Sequence, residues 1–174
     1  FSPLEGFMTK NEVETVLDEY HMPSGVIWPL PILLQVKAND IEGVHIGDVL
    51  GLTLVGTNEI QAVLYLEEIY KYDLDNLALR IYGTNDNAHP GVQLLRNNDE
   101  YFLGGKIDLV KQLPSNYRYC DLTPEQSRHI FAGRGWRRVV GFHTRNVIHR
   151  VHEYIQLHAL EQYNCDGIFL HPVI

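Results

Sequence analysis

Cysteine is scarce: Cys120 and Cys165 are the two thiols in 174 residues. That is too few for a disulfide framework, and reduced thiols in a cytoplasmic protein are the simpler reading. Long apolar runs are missing too. The best candidate, Val26 to Val36, is broken by Pro29, Pro31 and Gln35, short of the roughly 18 residues a membrane helix needs. Basic charge is also short: 14 Lys and Arg stand against 22 Asp and Glu, a formal net charge of −8. Nucleic-acid binders are usually basic, so neither nucleic acid nor membrane is an expected partner. No internal repeat or low-complexity tract is visible. The chain opens at Phe1 without the charged and apolar regions of a signal peptide, and reads as cut at its front. What remains is ordinary globular composition, 45% hydrophobic and 21% charged, enough for one large domain or two small ones.

The charge is unevenly spread. Residues 1–121 hold 18 acids and 8 Lys or Arg, whereas residues 122–174 hold 4 acids and 6 Arg. Six of the nine histidines (129, 143, 149, 152, 158 and 171) also lie in the second segment. A boundary near residue 122 follows, with an electropositive tail suited either to an anion or to a salt-bridged domain contact.

The patterns differ across that boundary. Val13, Val16, Leu17 and Tyr20 have helical spacing after a cap at Thr9 or Asn11. Strand-like segments follow at Val26–Val36 (its prolines placing it at an edge or bulge), Asp48–Val55, Ile60–Tyr70 and Phe102–Lys111. Asn58-Glu59 suggests a hairpin connection, Asp73–Tyr82 a short helix, and Gly104-Gly105 a turn or bulge. Many short strands with glycine turns point to a small β-barrel. In the tail, Thr123-Pro124-Glu125-Gln126 is a capping box with proline at the first helical position. That helix should stop near Gly133–Gly135. Arg137–Phe142 and Gly167–Ile174 read as buried strands, and about Ile148 to Tyr163 as a helix with Ile148, Val151, Ile155, Leu157 and Leu160 apolar. This is the rhythm of a parallel α/β sheet.

The most informative stretch runs from Gly141 to Glu153, where a strand hands over to a helix. Ligands bind at the carboxyl ends of strands in such sheets. Helix-start N–H groups lack internal partners, and the helix dipole favours an anion there. Arg145 adds a planar fork suited to phosphate or sulfate oxygens. His149 and His152, three apart, share a face and can donate to phosphate. Thr144 and Asn146 supply neutral hydrogen bonds or cap the helix. A metal site is not expected: the zinc-protease pattern would need histidine where Gln156 stands. His129 and His158 read as surface or packing residues, and Arg150 as a solvated or inter-domain charge.

At these residues the chain resembles the ATP sulfurylase (sulfate adenylyltransferase) family. The family's turn reads Gln-Thr-Arg-Asn-Pro-x-His-Arg-Ala-His-Glu; here His143-Thr144-Arg145-Asn146-Val147-Ile148-His149-Arg150-Val151-His152-Glu153 stands in its place. The likeness extends to Phe1 through Met8, to Thr84, Asp86 and His89-Pro90-Gly91-Val92, to Gly104-Gly105, to Gly135-Trp136, and to Asp166-Gly167 through His171-Pro172. It implies a PUA-like β-barrel domain in residues 1–121. It also implies that residues 122–174 are the opening part of a Rossmann-like parallel α/β nucleotidyltransferase domain. The implied reaction transfers the adenylyl group of ATP to sulfate, releasing pyrophosphate. Thr144, Arg145 and Asn146 are its implied catalytic residues, and His143 and Arg145 its sulfate ligands. His143, Thr144, Arg145, Asn146, His149 and His152 are its implied nucleotide contacts. Mg²⁺ accompanies the nucleotide, and assembly into homo-oligomers and a fused or partner adenylylsulfate kinase are implied partners.

Three departures bear on this. His143 replaces the glutamine that contacts sulfate, so a different oxyanion is the alternative substrate. Val147 replaces proline, and Val151 a small alanine. The later nucleotide-binding segment, Gly-Arg-Asp-His-Ala-Gly, does not occur before Ile174, and 53 residues after position 121 are too few for a complete parallel sheet. The chain reads as a fragment expected to be inactive by itself. A non-catalytic binding or assembly module is the reading from another class; the acidic balance of residues 1–121 opposes RNA as its ligand.

Overall fold

A computed structural model describes residues 4–112 and 116–173. It divides into two compact units, residues up to 115 and residues from 116 onward.

The first unit is built on an antiparallel sheet. Its strands are β1 (Gly6–Phe7), β2 (Leu34–Val36), β3 (Val49–Thr53), β4 (Ile60–Lys71) and β5 (Tyr101–Leu109). The pairing order is β1-β5-β4-β3, with β2 also on β5. Helices α1 (Lys10–Glu19), α2 (Leu74–Tyr82) and α3 (Pro90–Arg96) complete it. Thr9 starts α1, and the Glu12 carboxylate accepts from its N–H at 2.8 Å and its hydroxyl at 2.9 Å. Asp73 caps α2 through the N–H groups of Asp75 and Asn76.

The expected strand over Val26–Val36 shrinks to Leu34–Val36, because Pro29 and Pro31 cannot donate to a ladder. One isolated bridge, His21 to Ile27, remains upstream. A short 3₁₀ turn at Ala38–Ile41 and helix α3 also form. Neither has enough length to show a period.

Two apolar clusters cover the two faces of the sheet. Val13, Val16, Leu77, Val92, Phe102, Tyr70 and Tyr72 form one, and Leu64, Leu66 and Leu103 form the other. Adjacent residues Phe102 and Leu103 point to opposite faces, as β5 requires. In β4 a register shift between Leu66 and Glu68 inserts one extra residue. Leu64, Leu66 and Ile69 therefore share one face, while Tyr70 and Tyr72 turn to the helix side. Tyr70 stacks on Phe102 at 5.6 Å between ring centroids, and Tyr72 meets the same ring edge-on at 6.5 Å. Facing the bulge, Gly105 has φ +151° and a Cβ there would lie 2.1 Å from the Tyr65 carbonyl oxygen. The Gly104-Gly105 signal thus marks a bulge, at a point where two strands leave no room for a methyl group.

The second unit runs α4 (Pro124–Gly133), β6 (Val139–Thr144), α5 (Arg150–Gln162) and β7 (Gly167–Pro172). The capping box forms as its residues require: Gln126 N–H donates to Thr123 Oγ1 at 3.2 Å, and Thr123 N–H to Gln126 Oε1 at 2.9 Å. β6 and β7 pair in parallel from Val139↔Gly167 to Thr144↔Pro172. Asp166 fixes the start of the pair. One carboxylate oxygen accepts from the N–H groups of Arg137 and Arg138 at 2.7 and 2.9 Å, which hold its pKa below the ordinary carboxylate range. Trp136 stacks on Phe131 and covers Gly167, where a Cβ would sit 2.4 Å from the indole.

The expectation of buried strands is corrected here. β6 alternates between half-buried and exposed positions, and β7 is exposed from Leu170 on. Ile148, Val151, Ile155 and Leu157, assigned by spacing to a packing face, are exposed as well. A parallel pair needs cover on both faces to bury its apolar residues, and two strands flanked by α4 and α5 do not supply it.

Candidate functional site

The site lies where β6 ends. Residues 145–149 form an irregular link, and α5 begins at Arg150, two residues later than periodicity places it. The cap is not Asn146 or Thr144 but His149, whose Nδ1 accepts from Val151 N–H at 3.4 Å. A ring that accepts at Nδ1 carries its proton on Nε2 when neutral, so His149 keeps a donor for a ligand. Thr144 instead shapes the link: its hydroxyl accepts from Asn146 N–H at 3.0 Å and donates to the Asn146 carbonyl at 3.2 Å. This local turn competes with helix and delays its start. Val147, 90% exposed, occupies the position where proline would preset the backbone.

An open pocket of about 380 Å³ forms at this turn, lined by Phe142, His143, Thr144, Arg145, Asn146, His152 and Val173. Five of the six residues nominated from sequence line it. His149 does not, but its ring lies 4.1 Å from that of His152, centroid to centroid. His152 also meets Phe142 edge-on at 5.6 Å. Its Nδ1 is shut off from solvent and has no hydrogen-bond partner among the described residues. Such an orphaned polar atom costs roughly 1–3 kcal/mol.

The lining carries one permanent cation (Arg145), two imidazoles, a hydroxyl and an amide, and no carboxylate. That set of donors suits an anion. It does not fit Mg²⁺, a hard ion that takes oxygen ligands in octahedral array and is usually held by carboxylates and phosphates. Among the described residues no three His, Cys, Asp or Glu side chains come together as a metal site. His129 lies on α4, outside this pocket, and His158 stacks on Tyr154 at 5.7 Å. No helix among the described residues is long and apolar enough to cross a membrane.

One residue escaped the nominations. His171, opposite His143 in the parallel register, brings its Nδ1 within 2.8 Å of the Nδ1 of His143. The signal was present as a histidine-proline pair at the end of the last strand. Pairing it with His143 needs the strand register, which sequence does not supply.

Comparison with known proteins gives a family match for each unit. The PUA-like domain family matches residues 1–112 and the ATP-sulfurylase family residues 118–174. A sulfate adenylyltransferase of Symbiobacterium thermophilum is 43% identical over 99% of this chain, and one of Halothermothrix orenii is 42% identical over all of it. The chain spans 43% and 45% of those two relatives' lengths. Among solved structures, the hexameric APS kinase from Thiobacillus denitrificans superposes with a TM-score of 0.71 at 24% identity, over 99% of this chain and 30% of that one. That likeness shows the fold: an antiparallel PUA-like unit followed by a parallel α/β unit.

Proposed function

Through residues 1–112 the chain belongs to the PUA-like domain family and through residues 118–174 to the ATP-sulfurylase family, and from that premise we propose that the whole protein is a sulfate adenylyltransferase. In that reading a sulfate oxygen attacks the α-phosphorus of ATP. The bond to the bridging oxygen breaks, and pyrophosphate leaves with the electron pair. Residues 1–121 are proposed as the PUA-like domain and 122–174 as the start of the nucleotidyltransferase domain.

The observation that carries the reading is the anion pocket at the β6–α5 turn. Arg145 would hold sulfate and stabilise charge growing on the α-phosphate. The imidazoles of His152 and His149 would contact phosphate oxygens, His149 through its Nε2. Thr144 and Asn146, already bonded to each other, would hold the turn in shape so that the reactants stay aligned. Mg²⁺ is proposed to arrive with the nucleotide, held by its phosphates. The enzyme is proposed to act in the cytoplasm, as an assembly of identical subunits, and to pass its product to an adenylylsulfate kinase, fused or separate.

His143 favours one second reading: an oxyanion other than sulfate as the acceptor. Sulfate-dependent pyrophosphate release from ATP by the whole protein tests both. Release with sulfate supports the first reading. Release with another oxyanion and none with sulfate reassigns the substrate, and no release with any oxyanion removes the activity.

A further inference from the structure

The pocket's unusual feature is the histidine pair at its edge. His143 and His171 close the parallel register of β6 and β7, with their ring centroids 5.0 Å apart, their planes at 26° and the two Nδ1 atoms 2.8 Å apart. That spacing requires a proton between the nitrogens, since two bare lone pairs would repel. In the neutral pair one ring donates from Nδ1 and the other accepts. The donating ring then has a bare Nε2, which repels an anion's oxygen, while the accepting ring carries Nε2–H. Adding one proton changes this. Both rings then carry Nε2–H, the Nδ1 bond survives, and one positive charge is shared between two imidazoles. A second added proton would put N–H against N–H and break the bond. The singly protonated pair offers a donor from both rings and adds a positive charge, so it holds an oxyanion more strongly than either neutral tautomer.

We propose that His171 is a positioning residue of the oxyanion site, acting through His143, and that the pair takes up one proton as the anion binds. The inference rests on the anion-site reading of the β6–α5 turn. Binding is then tightest at low pH and weakens as pH rises and the pair loses its extra proton. The other charged or titratable groups of the pocket are Arg145 on the link and His152 on α5, with the His149 ring 4.1 Å from that of His152. Arg145 stays charged throughout. His152 and His149 can themselves take up a proton, so the test must separate them from the pair. On β7 the remaining neighbour is the Phe169 ring, 6.3 Å from that of His171, which contributes no charge.

The experiment is calorimetric titration of inorganic sulfate into the whole protein, saturated with a non-hydrolysable ATP analogue, in two buffers of different ionisation enthalpy. Above the pH at which the pair is neutral, the wild type is expected to take up close to one proton per sulfate, and its affinity to fall roughly tenfold per pH unit. His171→Gln and, on the other strand, His143→Gln are expected to bind sulfate with little proton uptake and a flat pH profile. Proton uptake that is absent in the wild type, or unchanged in both variants, overturns the proposal and assigns any linkage to His149 or His152. Pyrophosphate release measured in parallel keeps the two readings apart. Uptake without sulfate-dependent turnover sinks the enzymatic reading and leaves the pair standing, whereas turnover without uptake does the reverse. Failure of sulfate to bind overturns both.

Discussion

Replacing Gly105 by alanine puts the sheet's construction to a quantitative test. Its φ of +151° is one that side chains rarely adopt, and its new methyl carbon would lie 2.1 Å from the Tyr65 carbonyl oxygen and 3.0 Å from the Glu67 nitrogen. Ordinary contact begins near 3.4 Å, so β4 and β5 must part by more than an ångström at the bulge. Strain at such a backbone angle costs about 1–3 kcal/mol, and overfilling a packed site about 1–3 kcal/mol more. The bulge also sets which residues of β4 face the helices, so Tyr70 and Tyr72 are at stake. Together these give a loss of roughly 2–6 kcal/mol from a fold whose total stability is of order 5–15 kcal/mol. Gly56 provides the control. Its φ is +84°, and nothing lies within 4 Å of a Cβ there. Gly56→Ala meets only the backbone penalty, about 1–2 kcal/mol. Denaturant unfolding followed by far-UV dichroism should separate the two variants clearly, and the thermal midpoints should differ by about 2–8 °C per kcal/mol. Equal losses in both variants would refute the steric account of the bulge.

Phe102, with no exposed surface, carries both tyrosine contacts of the helix-side core; Phe102→Ala should lose about 3–5 kcal/mol in the same unfolding assay. Glu14 is held below the usual carboxylate range chiefly by its hydrogen bond from Arg80 and next by that from Tyr72, and Asp166 chiefly by the N–H groups of Arg138 and Arg137. Depressed carboxylate pKa values contribute stability that is complete above the unfolded value and lost as pH falls through the folded one. Acid titration should therefore destabilise the fold below about pH 4, and Asp166→Asn should reduce that acid sensitivity. In the whole protein, Arg145→Ala should lower turnover by about 10²–10³-fold while leaving the melting curve in place. Arg145→Lys, which keeps charge but not the fork, should fall between; unchanged kinetics would remove Arg145 from the site.

What could be read in the chain depended on how local its cause is. A capping box acts over three residues, so Thr123 with Gln126 marks one helix start, and Thr9 is one of two caps the chain offers for another. Gly104-Gly105 flagged a turn or bulge, because absence of a side chain is itself the signal; the extra residue lies opposite, in β4. The polar residues Thr144-Arg145-Asn146 mark a turn after β6, but the helix starts two residues later than its apolar spacing places it, because His149 and not an earlier residue caps it. The Val26–Val36 run looked like a strand by hydrophobicity, but its prolines leave ladder donors missing. The half-exposed state of β6 and β7 depends on what covers them, a property of packing and not of their own residues. His171 stayed hidden longest: its neighbour in space is 28 residues away in sequence, and only the parallel register joins them.

The most direct test of the central claim is an experimental structure of the whole protein with adenosine 5′-phosphosulfate bound. The sulfate and phosphate groups are expected at the β6–α5 turn, within hydrogen-bond distance of Arg145 and His152, with His143 still joined to His171. The same ligand found elsewhere, with Arg145 and His152 untouched, would contradict the account.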